Sequence, residues 1–463
     1  MEEETKQGFF PTVINNQRDE NHKNQELIEI LAVTEVAVKT LYHFFPNWRK
    51  WLAELPDHRD QESITYPRGA LIMAVILMFW MRLSSRRQWT YESRSQTFIE
   101  NLNRIMGCNL KKLPHDNTFV YYLEKVPPEN FQALPHKMVR ELIRKKRLDH
   151  FRLYGYFLVA IDGTGMLVFP TRHCNHCLVK KNKDGKVIYY HNVLEAKIVC
   201  HNGLAISIAT EFIENEDTSV KKQDCELKAF YRLSKKIKKA FPQLPICLLL
   251  DGLFACAPVF DICENFRWKY IITFKEGSMP ATWEEFMALK KLSHKNRTTH
   301  NPDKNNIQTL QWVEGLPYQK YTLNVIECKE HHIPSDKTTT FVWITNFDVG
   351  CKSVITLANK GGKLRWKIEN EGFNSQKNDG YGLEHAYSKN PQLIKSFYLL
   401  LQVAHLLHQL MVKGSLLNKL KSSLGSIKNF IRRLCDGFRY ALIPLEVIEL
   451  SLRHSFQLRL NTS

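Results

Sequence analysis

Two stretches of this chain end a buried apolar run with an acid. In Tyr156–Gly165, YFLVAIDGTG, residues Phe157 to Ile161 read as a core strand that stops at Asp162, where Gly163 and Gly165 free the backbone to turn. In LLLDG, Leu248–Gly252, the run from Ile246 to Leu250 stops in the same way at Asp251. A carboxylate at the end of a core strand is costly to bury alone, and a turn or capping role accounts for either one by itself. As a pair they suggest more, because two strands of one sheet can deliver both side chains to the same place. Adjacent carboxylates repel unless a divalent cation lies between them. Oxygen ligands with open positions suit Mg²⁺ or Mn²⁺. The expectation is a carboxylate metal site for phosphodiester chemistry.

A third acid comes from Leu364–His385, LRWKIENEGFNSQKNDGYGLEH. Here Arg365, Glu369 and nearby Lys377 fall roughly along one helical face, with Trp366 and Ile368 available for packing. A helical glutamate is usually a surface residue. Glu369 gains interest as the third acid in the order Asp, Asp, Glu, at intervals of 89 and 118 residues, and Glu371 is its rival.

The elements that must position these acids read as α/β. Strands are expected near Phe157–Ile161, Lys186–Cys200, Leu204–Thr210, Ile246–Leu250 and Lys269–Phe274, with helices near Lys221–Ala240 and Val259–Phe266. Three early strands, then a helix and further strands, suggest a mixed sheet flanked by helices. Residues 297–348 change character: Gln308–Val313, Tyr321–Ile326 and Thr338–Thr345 read as strands of a β-rich insertion. Upstream, residues 1–25 read as a disordered tail and 26–150 as a basic α-helical domain suited to DNA binding. Residues 151–296 and 349–395 would form the two parts of the core, and 396–463 a set of C-terminal helices.

Lys and Arg total 65 against 47 Asp and Glu in 463 residues, a formal charge of +18. That excess suits a polyanionic partner, nucleic acid or an anionic membrane surface. A spanning segment is not expected, because the longest apolar run, Ala70–Met81, has twelve residues and a bilayer needs roughly 20. It reads as a buried core helix. The polar N-terminus has no signal-peptide core, so a cytoplasmic protein is expected. Eleven scattered cysteines fit reduced thiols. Cys174 and Cys177, with His173, His176, His191, Cys200 and His201 around or after them, match half of a zinc site; no second CxxC follows, and a hairpin with reduced cysteines is the preferred reading. Gly361-Gly362-Lys363 lacks the phosphate-loop pattern, which argues against an NTPase.

IDGTG at Ile161–Gly165, LLLDG at Leu248–Gly252 and RWKIE at Arg365–Glu369 together resemble the DDE transposases of bacterial insertion sequences, in the cut-and-paste group with a β-rich insertion. The resemblance spans about Phe151–Asn390 and implies an RNase H-like core. It implies that Asp162, Asp251 and Glu369 hold two Mg²⁺ ions (Mn²⁺ substituting), that Arg365 and Lys377 contact DNA, and that Phe341 or Trp343 stacks a flipped base. For Phe341 and Trp343, filling the insertion's core is the alternative. Implied partners are the terminal inverted repeats of a transposon and target DNA, bound by a homodimer. Two departures stand out: Gly362 occupies the place of the family's tyrosine, and Gln376 that of its lysine, with Lys377 one residue later. Two other functions stay open, a DNA-binding protein derived from a transposase without catalysis and a nuclease without strand transfer.

Overall fold

The runs that carry the two aspartates become neighbouring parallel strands. In the computed structural model, which describes residues 16–92, 94–453 and 458–462, the strands are β1 (Phe157–Phe169), β2 (Leu178–Lys181), β3 (Val187–Val199), β4 (Ala205–Ile213), β5 (Ile246–Leu250), β6 (Lys269–Thr273), β7 (Arg297–Asp303), β8 (Asn306–Tyr318), β9 (Tyr321–His332) and β10 (Lys337–Thr345). They form one mixed sheet in the order β2-β3-β1-β5-β6-β10-β9-β8-β7, with β4 also on β3. β1 is antiparallel to β3 and parallel to β5, and β5 is parallel to β6. The α/β class and the mixed sheet expected from the apolar runs are therefore present.

Alternation along β1 explains why both faces are covered. Val159 and Ile161 enter one apolar core, whereas Leu158 and Ala160 enter a second that includes Leu249, Ile271, Trp343 and Ile368. The helix Glu226–Ala240 packs on β3 and β4 through Phe230, Leu233 and Ile237. A chain that buries both sides of a strand needs apolar residues at nearly every position, as VAI and CLLL show.

Four features of the fold differ from the expectations or go beyond them. First, β1 does not stop at Asp162: it continues through Gly163 and Gly165 to Phe169, with an irregularity between Gly165 and Leu167 where it bends along β3. Second, the β-rich insertion extends the core sheet. β10 pairs with β6, so β7–β10 lengthen the central sheet. Third, part of the expected tail is ordered, because the first helix is Asn16–Phe44; residues 1–15 lie outside the described residues. Fourth, the N-terminal helices share their core with the C-terminal ones. Arg68–Trp80 is buried from Gly69 to Trp80 and packs against Pro391–Val412, which is why its apolar run has no polar face. Among the described residues no helix is long and apolar enough to cross a membrane.

Candidate carboxylate site

Asp162 and Asp251 meet because of the strand register. Ala160 is opposite Leu249 in the parallel β1–β5 pair, and two residues further each strand has its aspartate. Asp251 follows the last residue of β5 and caps the short helical turn Gly252–Phe254, its Oδ1 accepting the Leu253 N–H at 3.0 Å. Asp162 lies within β1, where its Oδ1 accepts the Gly163 N–H at 2.9 Å.

The third group arrives on an unusual helix. After the 3₁₀ segment Gly362–Trp366, residues Ile368–Asn374 form a π-helix that buries Ile368, Gly372 and Phe373 against the sheet. The regular helical face expected for Arg365, Glu369 and Lys377 is thus replaced by a change of winding. Gly372 allows the close approach, for a Cβ there would lie 3.1 Å from Lys197 Cε. This segment holds Glu369 near enough to Asp162 to act on its charge. Glu371 pairs with Lys367 at 2.8 Å and lies by Gly203, in the β3–β4 turn.

Burial drives the Asp162 carboxyl above its ordinary pKa; Arg365 and the Gly163 N–H pull it back, and the charges of Asp251 and Glu369 push it up again. Glu226 shows the same pattern. Burial, then Asp162 and Asp251, raise its pKa, so a fourth acid belongs to the cluster. It comes from the first residue of helix Glu226–Ala240 and reaches in over Gly163, where a Cβ would lie 2.1 Å from its Oε1. No residue-type signal separates Glu226 from an ordinary acid in a helix's first turn. A glycine inside a strand is the one hint, since it marks a close approach.

Arg365 is 8% exposed, donates from Nη1 to Asp162 Oδ2 at 3.1 Å and sits 4.2 Å over the Trp366 ring. In this structure the guanidinium is the bonded cation of a crowded carboxylate. Lys377 pairs with Glu384 at 2.8 Å, and Gln376 is buried against Gln402 and His405. Trp343 is removed from the stacking role: it is 3% exposed and fills the second core, with Phe341 stacked on it at 5.7 Å. The same indole explains Gly362, since a Cβ there would lie 2.4 Å from the Trp343 ring, leaving no room for a tyrosine. Phe341 is half-buried with Lys363 across its ring at 5.2 Å. Trp366, by contrast, is 49% exposed, with the Arg365 guanidinium over its ring.

No protein-family model matches this chain, and no curated protein does either. The site therefore has to be read from its own geometry. Of its four carboxylates Asp162 pairs with Arg365, and the two whose pKa is raised, Asp162 and Glu226, are raised first by burial. An all-oxygen donor set of this kind fits a hard divalent cation such as Mg²⁺ or Mn²⁺ better than a soft one. Cys174, Cys177 and His191 lie elsewhere: His191 is opposite Leu167, five residues along β1 from Asp162. Their sulfur and nitrogen atoms come together with His173, whereas Cys200 is buried in the core and His201 bonds the Thr462 carbonyl.

Proposed function

We propose that this chain is a metal-dependent polynucleotidyl transferase of the DDE transposase kind, cutting and joining DNA at transposon ends. One observation carries the reading: Asp162 and Asp251 project from adjacent parallel strands into a cluster completed by Glu369. The strand order β4-β3-β1-β5-β6, antiparallel on one side of β1 and parallel on the other, supports an RNase H-like core. The charge of +18 suits a DNA partner, whose binding should weaken steeply with salt.

Within this reading Asp162, Asp251 and Glu369 would hold the metal, and Glu226 would add a fourth carboxylate from the neighbouring helix. Arg365 holds the Asp162 carboxylate in place while the cluster is still short of positive charge. Bound Mg²⁺ would lower the pKa of a water or 3′-hydroxyl nucleophile and stabilise the departing 3′-oxygen. The exposed Trp366 ring offers a stacking surface for a base displaced at the cut end.

The test uses DNA carrying the inverted repeats that flank the reading frame. Asp162→Asn, Asp251→Asn and Glu369→Gln should each abolish Mg²⁺- or Mn²⁺-dependent cleavage and leave DNA binding largely intact. Full cleavage by all three variants sinks the proposal. With pre-cleaved ends, joined product separates a transposase from a simple nuclease, and no nicking by the wild type indicates a protein that only binds.

A further inference from the structure

We infer that His173, Cys174, Cys177 and His191 form a structural zinc site that fastens the base of a basic hairpin. The four residues come from two places, the loop between β1 and β2 and the middle of β3. Cys174 Sγ is 3.4 Å from Cys177 Sγ and 3.5 Å from His191 Nε2. Cys177 Sγ is 3.3 Å from His173 Nδ1 and 3.6 Å from His191 Nε2. All four donor atoms lie within 4.8 Å of one another. A tetrahedral ion with Zn–S near 2.3 Å and Zn–N near 2.0 Å spaces its ligands about 3.3 to 3.8 Å apart. The four separations given, 3.3 to 3.6 Å, fall in that frame, the pairs of His173 with Cys174 and His191 lie within 4.8 Å, and both sulfurs are free thiols.

The donor types select the metal. Two thiolates and two imidazoles in a closed tetrahedral set suit Zn²⁺, and they are the wrong ligands for Mg²⁺. With four protein ligands there is no open position, so the site is structural. Its surroundings are built to hold the loop. Asn215 Nδ2 donates to the Cys177 carbonyl at 3.0 Å and the Asn215 N–H to the His176 carbonyl at 3.2 Å, while the Phe169 and His173 rings lie 4.0 Å apart. Beyond the site, β2 and the start of β3 form a hairpin that exposes Lys180, Lys181, Lys183 and Lys186. β1 pairs with β3 as far as Tyr189, which leaves the hairpin tip two-stranded and marginal in water, and a metal at its base supplies what a small core does not.

The inference does not depend on the proposed function, because its test reads metal. Full-length protein made in zinc-supplemented medium and purified without chelators should contain about one zinc per chain. Cys174→Ser, Cys177→Ser and His191→Ala should each lower that about tenfold. Since these variants could misfold, wild-type protein exchanged with Co²⁺ provides a second measurement: thiolate charge-transfer absorption and strong tetrahedral d–d bands are expected. Chelation should also speed tryptic cleavage within Lys180–Lys186 about tenfold, and added zinc should reverse it. Wild type without zinc and without those cobalt bands overturns the inference, as does a Cys174–Cys177 disulfide found by mass spectrometry.

Discussion

At the scale of single residues, the carboxylates are held in a state that suits a cation. The Glu226 pKa is raised by burial and by the neighbouring aspartates, so the folded chain holds this proton more tightly than the unfolded one. Below the ordinary glutamate value the group costs nothing. The cost grows as pH rises through the raised folded pKa and persists above it. Glu226→Gln should therefore stabilise the protein at pH 7, in the absence of Mg²⁺ and Mn²⁺, by about 1 kcal/mol. It should also shrink the rise in melting temperature that Mn²⁺ brings. Unchanged values for both would place Glu226 outside the cluster. Trp366 is the other residue whose role rests on exposure. Trp366→Ala should weaken binding of DNA with unpaired ends by about 1–3 kcal/mol while barely affecting fully paired DNA, measured by fluorescence anisotropy. Equal loss on both substrates would argue against stacking.

Elements rather than residues decide how rigid the site is. β3 lies beside β1 and directs Glu195 and Lys197 into the interior, both wholly buried, with Nζ and Oε1 3.8 Å apart. Glu195 accepts from Ser207, Thr210 and Tyr398, and Lys197 donates to Gln402 at 2.6 Å. These bonds join the sheet to helix Pro391–Val412 next to Asp162, which is opposite Glu195 in the β1–β3 pair. Burial pushes the Glu195 pKa up and that of Lys197 down, each opposed by the charge of the other. Removing one member leaves an uncompensated charge. Lys197→Met should cost about 3–5 kcal/mol in denaturant unfolding, and adding Glu195→Gln should recover most of that. A double variant no more stable than the single one would show that the pair is not coupled.

On the scale of the whole molecule, the two ends of the chain make one body. Leu77 is fully buried in helix Arg68–Trp80, which packs on Pro391–Val412 and shares a core with β1. Leu77→Ala should cost about 2–5 kcal/mol and shift a single calorimetric transition as a unit. Two transitions, only one of them shifted, would mean that the N-terminal helices fold independently.

Much of this was legible in the residues themselves. Apolar runs bounded by Gly, Pro and charged residues mark β3 to β6 and β10 to within a few positions, helped in β4 to β6 by burial on both faces, whereas β8 and β9 run on past Val313 and Ile326 to Tyr318 and His332. Local composition also explains the buried Ala70–Met81 run and the acids at Asp162 and Asp251. It could not show that β1 runs on past Asp162, since a glycine that turns a chain and one that admits Glu226 look the same. Nor could it put Trp343 in the core, set Glu371 by Gly203, or bring His173 to Cys177 and His191. Those outcomes depend on contacts between segments far apart in the chain. Periodicity reports which face a residue occupies, and only the packed structure determines what stands opposite it.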